Sequence, residues 1–210
     1  MIEAKAAGLV YADHGKEVFA CRNLTTTISE GEFVAVLGPS GSGKSSLLYL
    51  LSGLKQPSYG EITFHGQDLA KMTDQQRARL RLTEFGFLFQ QSFLLGYLTA
   101  LENIVLNRTE RVEEAKDLLN SLGIGELGHR LPHELSGGQR QRVCIARALV
   151  SQPKVIFADE PTASLDHATG LQVVELLNKH RQGALVMVTH DESMITEANR
   201  VLRIEEGVVI

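Results

Sequence analysis

Apolar residues fall along this chain in two rhythms. Short continuous runs at Phe33-Val34-Ala35-Val36-Leu37, Phe85 to Phe89, Val155-Ile156-Phe157-Ala158 and Ala184 to Val188 have the length and make-up of strands buried on both faces. Looser alternation predicts further strands at Ala6 to Tyr11, Val18 to Cys21, Asn23 to Ile28 and Glu61 to Phe64. Between these lie segments with helical spacing. Leu47, Leu48, Leu50, Leu51 and Leu54 predict a helix apolar on most sides, and Val112, Ala115, Leu118, Leu119 and Leu122 predict another that stops at Gly123. Thr73-x-x-Gln76 and Thr99-x-x-Glu102 have capping-box spacing, the first opening a basic helix to about Arg81. Further helices are expected over Gly138 to Val150 and Thr169 to His180, and Val201 to Ile204 with Val208 to Ile210 reads as a closing hairpin around Glu206-Gly207. Strands alternating with helices imply an α/β fold with a mostly parallel sheet covered on both faces, interrupted by a helical insert from Gln91 to Glu134.

Composition narrows the possibilities. The 210 residues are 43% hydrophobic and 22% charged, which suits one globular domain and excludes a disordered or collagen-like chain. No apolar run approaches the roughly 18 residues of a membrane-spanning helix, and the acid near the start, Glu3, argues against a secretory signal. Cys21 and Cys144 lie far apart without metal spacing, as expected of two reduced thiols in a cytosolic protein. A net charge of −4 offers no broad field for nucleic acid, so no nucleic-acid partner is expected and any anion must be bound locally.

Local anion chemistry is concentrated after the first buried run. Gly38-Pro39-Ser40-Gly41-Ser42-Gly43-Lys44-Ser45, continuing into Ser46, fits G-x-x-x-x-G-K-[ST] between a strand and a helix. Glycines there let successive N–H groups and the positive end of the helix dipole point at phosphate oxygens. Lys44 would meet the β- and γ-phosphates, and the Ser45 hydroxyl would ligate Mg²⁺. A metal needs an acidic partner. The run Val155 to Ala158 ends on Asp159-Glu160, two adjacent carboxylates at a strand's C-terminal end. Adjacent side chains diverge, which suits Asp159 to the Mg²⁺ shell and Glu160 to orienting or deprotonating a water. A second cradle candidate follows from Leu135-Ser136-Gly137-Gly138-Gln139, a helix N-terminus with two glycines, followed by Arg140 and Arg142.

In this order and spacing the motifs resemble the ATP-binding subunit of an ABC transporter, and the resemblance spans essentially all 210 residues. It rests on the phosphate loop, Gln90 in Phe87-Leu88-Phe89-Gln90 (Q-loop), the signature Leu135 to Gln139, Asp159-Glu160 (Walker B), Ser164-Leu165-Asp166 (D-loop) and Val188-Thr189-His190-Asp191 (switch histidine). The segment Arg77 to Gln90, with Leu98 to Asn103 and Leu131-Pro132-His133-Glu134, looks most like the MacB-like branch of lipoprotein-release, macrolide-efflux, haem and peptide exporters. Two features depart from that branch: a short interval of 44 residues between Gln90 and Leu135, and Ala163-Ser164 where Gly-Asn is common.

The resemblance implies a P-loop NTPase of ABC type, with an N-terminal antiparallel β subdomain and a helical subdomain at residues 91–150 inserted in a RecA-like core of 1–90 and 151–210. It implies a head-to-tail dimer in which ATP on one phosphate loop is closed by Ser136, Gly137, Gly138 and Gln139 of the other copy, with Asp166 at the dimer contact. Gln90 would reach the Mg²⁺ or water and report to a membrane permease, and His190 would contact the γ-phosphate and support Glu160. Tyr11 is the expected adenine-stacking residue, with Val18 nearby and Phe19 as its competitor. The implied activity is Mg²⁺-dependent ATP hydrolysis, in the cytoplasm against the inner face of the membrane, powering export or extraction of a hydrophobic or amphipathic cargo. The competing reading is a soluble or regulatory ABC ATPase with a non-transport partner. Two residual motifs carry no chemistry in this reading. Pro132 interrupts the His129-x-x-x-His133 pair, and Lys71, Arg77, Arg79 and Arg81 are expected to form a solvated helix face.

Overall fold

A computed structural model describes residues 1–13 and 16–210. The chain opens with two long strands, β1 (Ile2–Asp13) and β2 (Lys16–Ile28), followed by β3 (Phe33–Leu37) and helix α1 (Lys44–Leu51). Next come β4 (Tyr59–Phe64), β5 (Gln67–Asp68), α2 (Asp74–Glu84) and β6 (Phe85–Phe89). Three helices follow, α3 (Ala100–Val105), α4 (Val112–Ser121) and α5 (Gly137–Leu149), while Gln91–Thr99 is irregular. The remainder is β7 (Val155–Asp159), α6 (His167–His180), β8 (Ala184–Thr189), β9 (Arg200–Glu205) and β10 (Val208–Val209).

Two sheets result. The larger has the order β10-β9-β3-β8-β7-β6 and is parallel except for β10, and the smaller is antiparallel with the order β2-β1-β4-β5. Both capping boxes form: Thr73 and Gln76 exchange bonds at the start of α2, as do Thr99 and Glu102 at the start of α3. β3 is buried on both faces, and its alternation divides the interior. Val34 and Val36 pack with the leucines of α1 and the inner face of the antiparallel sheet, including Ile2, Leu24 and Ile62. Phe33, Ala35 and Leu37 pack into a second core shared with α3, α4, α5 and α6. The central strand is thus clamped from both sides, which fixes where its C-terminal end delivers the chain.

Several expectations are corrected. β1 begins at Ile2 and continues through Ala6, whose positive φ of 46° accompanies a register irregularity that breaks the alternation seen in sequence. Leu54 lies beyond the end of α1 and is exposed. Arg77 is not on a solvated face: it is buried, its guanidinium donates to Leu69 O and Met72 O, and it pairs with Asp74. Arg81 donates to Gly53 O at 3.0 Å, leaving Lys71 and Arg79 as the exposed members of the run. Arg77→Ala should strand two carbonyls and lower stability by about 2–3 kcal/mol in urea unfolding. Cys21 and Cys144 are free and buried, and burial pushes each thiol up to about 11. Among the described residues no helix is long and apolar enough to cross a membrane.

Candidate active site

The parallel strands bring their C-terminal ends to one edge, with Leu37 beside Thr189, Val188 beside Asp159 and Asp159 beside Phe89. Chain leaving that edge builds an open cleft of about 790 Å³. Pro39, Ser40, Gly41, Gly43, Lys44, Ser45 and Ser46 form its floor, and Gln90, Glu160 and His190 come in from the ends of the neighbouring strands.

The loop's conformation depends on Gly43. Its φ is +100°, and a Cβ there would stand 2.1 Å from Ala20 O, so any side chain would push β2 away from the loop. Lys44 opens α1 and is buried, with Nζ donating to Gly38 O at 2.9 Å and Pro39 O at 3.0 Å and standing 3.7 Å from Glu160 Oε1. The ammonium therefore holds the loop closed on itself while facing the cleft. Ser42 points its hydroxyl inward without a hydrogen-bond partner, and Gly38 lies at the back of the loop.

Ser45 and Tyr49, one turn apart on α1, both reach Asp159. Ser45 Oγ donates to Oδ1 at 2.9 Å and Tyr49 Oη to Oδ2 at 3.2 Å. Burial raises Asp159 above the usual carboxylate range, opposed by these two hydrogen bonds. Burial and the neighbouring carboxylate push the Tyr49 hydroxyl up, so it keeps its proton and donates. Tyr49 was not among the expected site residues; its only signal in sequence is the i, i+4 spacing from Ser45. Among the described residues no cluster of three or more His, Cys, Asp or Glu side chains exists to cage a metal. The donor set at Ser45, Asp159 and Gln90 nevertheless fits Mg²⁺, which prefers hard oxygens and leans on one or two protein groups plus substrate phosphates.

Glu160 follows with φ at +48°, a left-handed conformation that costs a non-glycine residue about 1 kcal/mol or more. Its N–H donates to Val188 O at 2.9 Å, which pins the turn, and its side chain is held 2.9 Å from His190 Nδ1. The departure from strand geometry swings Glu160 over the phosphate loop while Asp159 stays beneath.

Other expected residues are elsewhere. Tyr11 does not line the cleft: its ring lies 5.9 Å from Lys55 Nζ, toward the far end of α1, and the cleft wall is built by Val18, Phe19 and Ala20. Its cross-strand partner is Val18. Phe19 carries the Arg22 guanidinium 4.4 Å from its ring centroid. Ser136 caps α5 by accepting from Gln139 N, and Gln139 Oε1 accepts from Ser136 N. That helix start lies outside the cleft, packed against the D-loop: Leu165 meets Gly137, and a Cβ on Gly138 would come within 2.8 Å of Thr169 Cγ2. Asp166 caps α6 through Thr169 N and Oγ1, and those bonds hold its carboxyl below the usual range. Arg140 and Arg142 do not complete a second anion cradle. They donate to the carbonyls of Leu135 and Leu122, satisfying loop and helix-end acceptors.

The model of the family described as "ABC transporter" matches residues 21–163, most of the chain, from within β2 to the residue before the D-loop. The chain belongs to that family. An uncharacterized ABC transporter ATP-binding protein of Methanocaldococcus jannaschii is 40% identical, covering 100% of this chain and 98% of that protein. The macrolide export ATP-binding/permease protein MacB of Campylobacter jejuni is 45% identical over 90% of this chain and 31% of its own length. The chain thus spans about a third of that longer relative. Among solved structures, the ATP-binding cassette MJ0796, captured as a dimer in a post-hydrolysis state with ADP and Pi, superposes with a TM-score of 0.91 at 35% identity over 100% of this chain and 96% of that one. As an ABC cassette this protein is an ATPase of α/β fold, related to the MacB-type export ATPases.

Proposed function

We propose that this ABC cassette is the Mg²⁺-dependent ATPase of a transporter, working as a head-to-tail pair bound to a membrane permease on the cytoplasmic side. The observation that carries it is the division of the motifs: one cleft gathers Lys44, the Ser45–Asp159 pair, Gln90 and the Glu160–His190 pair, while Ser136 to Gln139 and Asp166 sit together outside it. A chain with its signature outside its own nucleotide cleft needs another copy to bring the two together.

Within each cleft the phosphate loop and Lys44 bind the β- and γ-phosphates. Ser45, Asp159 and Gln90 would hold Mg²⁺, which would supply positive charge against the phosphates. Glu160 takes the proton from the attacking water, His190 fixes the Glu160 carboxylate and meets the γ-phosphate, and Ser136, Gly137, Gly138 and Gln139 of the second copy close the site. Adenine lies along the wall of β2 beside Val18, with Phe19 the ring in place to stack on it. ATP drives closure because it touches both copies only when they are closed.

Residues 91–150 serve as the helical subdomain between the two parts of the RecA-like core. At its junction with the sheet lies a groove of about 410 Å³ lined by Leu82, Phe87, Phe93, Leu106 and Arg108, where the permease seats. The kinship to MacB supports export or extraction of a hydrophobic or amphipathic cargo such as a lipoprotein, peptide, macrolide or haem.

The trans arrangement is tested by mixing variants. Lys44→Ala and Ser136→Arg chains should each be inactive alone, while an equimolar mixture with confirmed exchange should regain up to one working site per mixed dimer. No recovery in that mixture would rule out completion of one cleft by the other copy's signature.

A further inference from the structure

Asp159 is buried at the end of β7, with only 8% of its surface exposed, so bulk water does not set the orientation of its carboxylate. A carboxylate's last torsion is broad and twofold, and a single hydrogen bond to one oxygen leaves it free to rock. Here both oxygens are engaged from the same helix. Ser45 Oγ donates to Oδ1 at 2.9 Å from the phosphate-loop side, and Tyr49 Oη donates to Oδ2 at 3.2 Å from one turn further along α1. Lys44 acts on Asp159 only as a nearby charge, and Leu47, Leu48, Leu50 and Leu51 are given to the core, so these two hydroxyls are the α1 groups hydrogen-bonded to it.

We infer that Tyr49 is a positioning residue for the divalent cation: its hydroxyl fixes the carboxylate plane of Asp159, so that Oδ1 and the Ser45 hydroxyl stay aligned toward the metal beside the phosphates. This rests on the reading of Ser45 and Asp159 as the metal-holding pair. Ser45 would be shared between the carboxylate and the metal, whereas Tyr49 bonds the other oxygen, Oδ2, and can keep that bond throughout the cycle. Partners of this kind, one bond removed from a metal, commonly tune affinity 10- to 100-fold.

The test measures Mn²⁺ binding by electron paramagnetic resonance on the full chain with a saturating non-hydrolysable ATP analogue. Tyr49→Phe keeps the ring and removes the donor. It should weaken Mn²⁺ about 10-fold and alter the bound-Mn²⁺ line shape, with metal-free nucleotide affinity changed less than twofold. Placing 4-aminophenylalanine at position 49 restores an N–H donor on the same ring and should recover the affinity. Unchanged Mn²⁺ affinity in Tyr49→Phe, or a 4-aminophenylalanine variant as weak as Tyr49→Phe, would overturn the inference. Asp159→Asn separates the two levels: if it leaves Mn²⁺ binding intact, the assignment of Asp159 itself fails, and if it abolishes binding while Tyr49→Phe does nothing, only the role of Tyr49 fails.

Discussion

Glu160→Gln is expected to cut ATP turnover about 10²- to 10⁴-fold while ATP still binds. The amide keeps the shape and the contact distance to His190 Nδ1 but takes no proton from water. It also removes the carboxylate 3.7 Å from the Lys44 ammonium, freeing that charge for the γ-phosphate, so affinity should hold or rise. Because hydrolysis reopens the pair in the proposed cycle, the variant should accumulate as an ATP-bound dimer. Single-turnover hydrolysis and size-exclusion chromatography with and without ATP read the two effects separately. Turnover within threefold of wild type would move the base elsewhere, and a monomer at saturating ATP would contradict the closed pair.

Lys44→Ala acts on the other half of the chemistry. Its ammonium is buried and makes two hydrogen bonds to the loop's carbonyls, so truncation removes both the charge that meets phosphate and a clamp on the loop's shape. Losing one partner of a buried charged interaction costs about 2–5 kcal/mol, corresponding to a loss of roughly 30- to 5000-fold in ATP affinity. A fluorescent-nucleotide titration checks this, with circular dichroism to establish that the variant is folded. Affinity within threefold of wild type would show that the backbone cradle alone binds ATP.

The motifs whose chemistry is local were legible in the sequence. A phosphate loop needs glycines, a lysine and a hydroxyl within eight residues, and the run Phe33 to Leu37 before it announced the strand that aims it. The capping boxes were legible for the same reason: each is a contact across three residues. What escaped was set by contacts that no local motif announces. Arg77 looked like one of four solvated cations, but the carbonyls that bury it belong to the turn before α2. Arg140 and Arg142 followed the signature as if to complete an anion cradle, but they donate to loop and helix-end carbonyls. Tyr49 sits among leucines and showed its role only when Asp159, 110 residues away, came within reach of its hydroxyl. Tyr11 was expected at the adenine from the family resemblance, whereas the bulged pairing of β1 and β2 decides which residues of the hairpin face the cleft.

The loop between β3 and α1 is finished by residues from the far end of the sequence. Gly207 N donates to Ser42 O at 2.8 Å, and Gly207 O accepts from Arg22 N at 2.7 Å, stitching β2, the loop and the β9–β10 hairpin together. During synthesis the loop therefore waits for roughly 160 further residues, a delay of about 10 to 30 s at 5–20 residues per second. A nascent chain has its lysine and glycines long before it has the hairpin that finishes the loop, so the loop is among the last parts of the molecule to complete its hydrogen bonding.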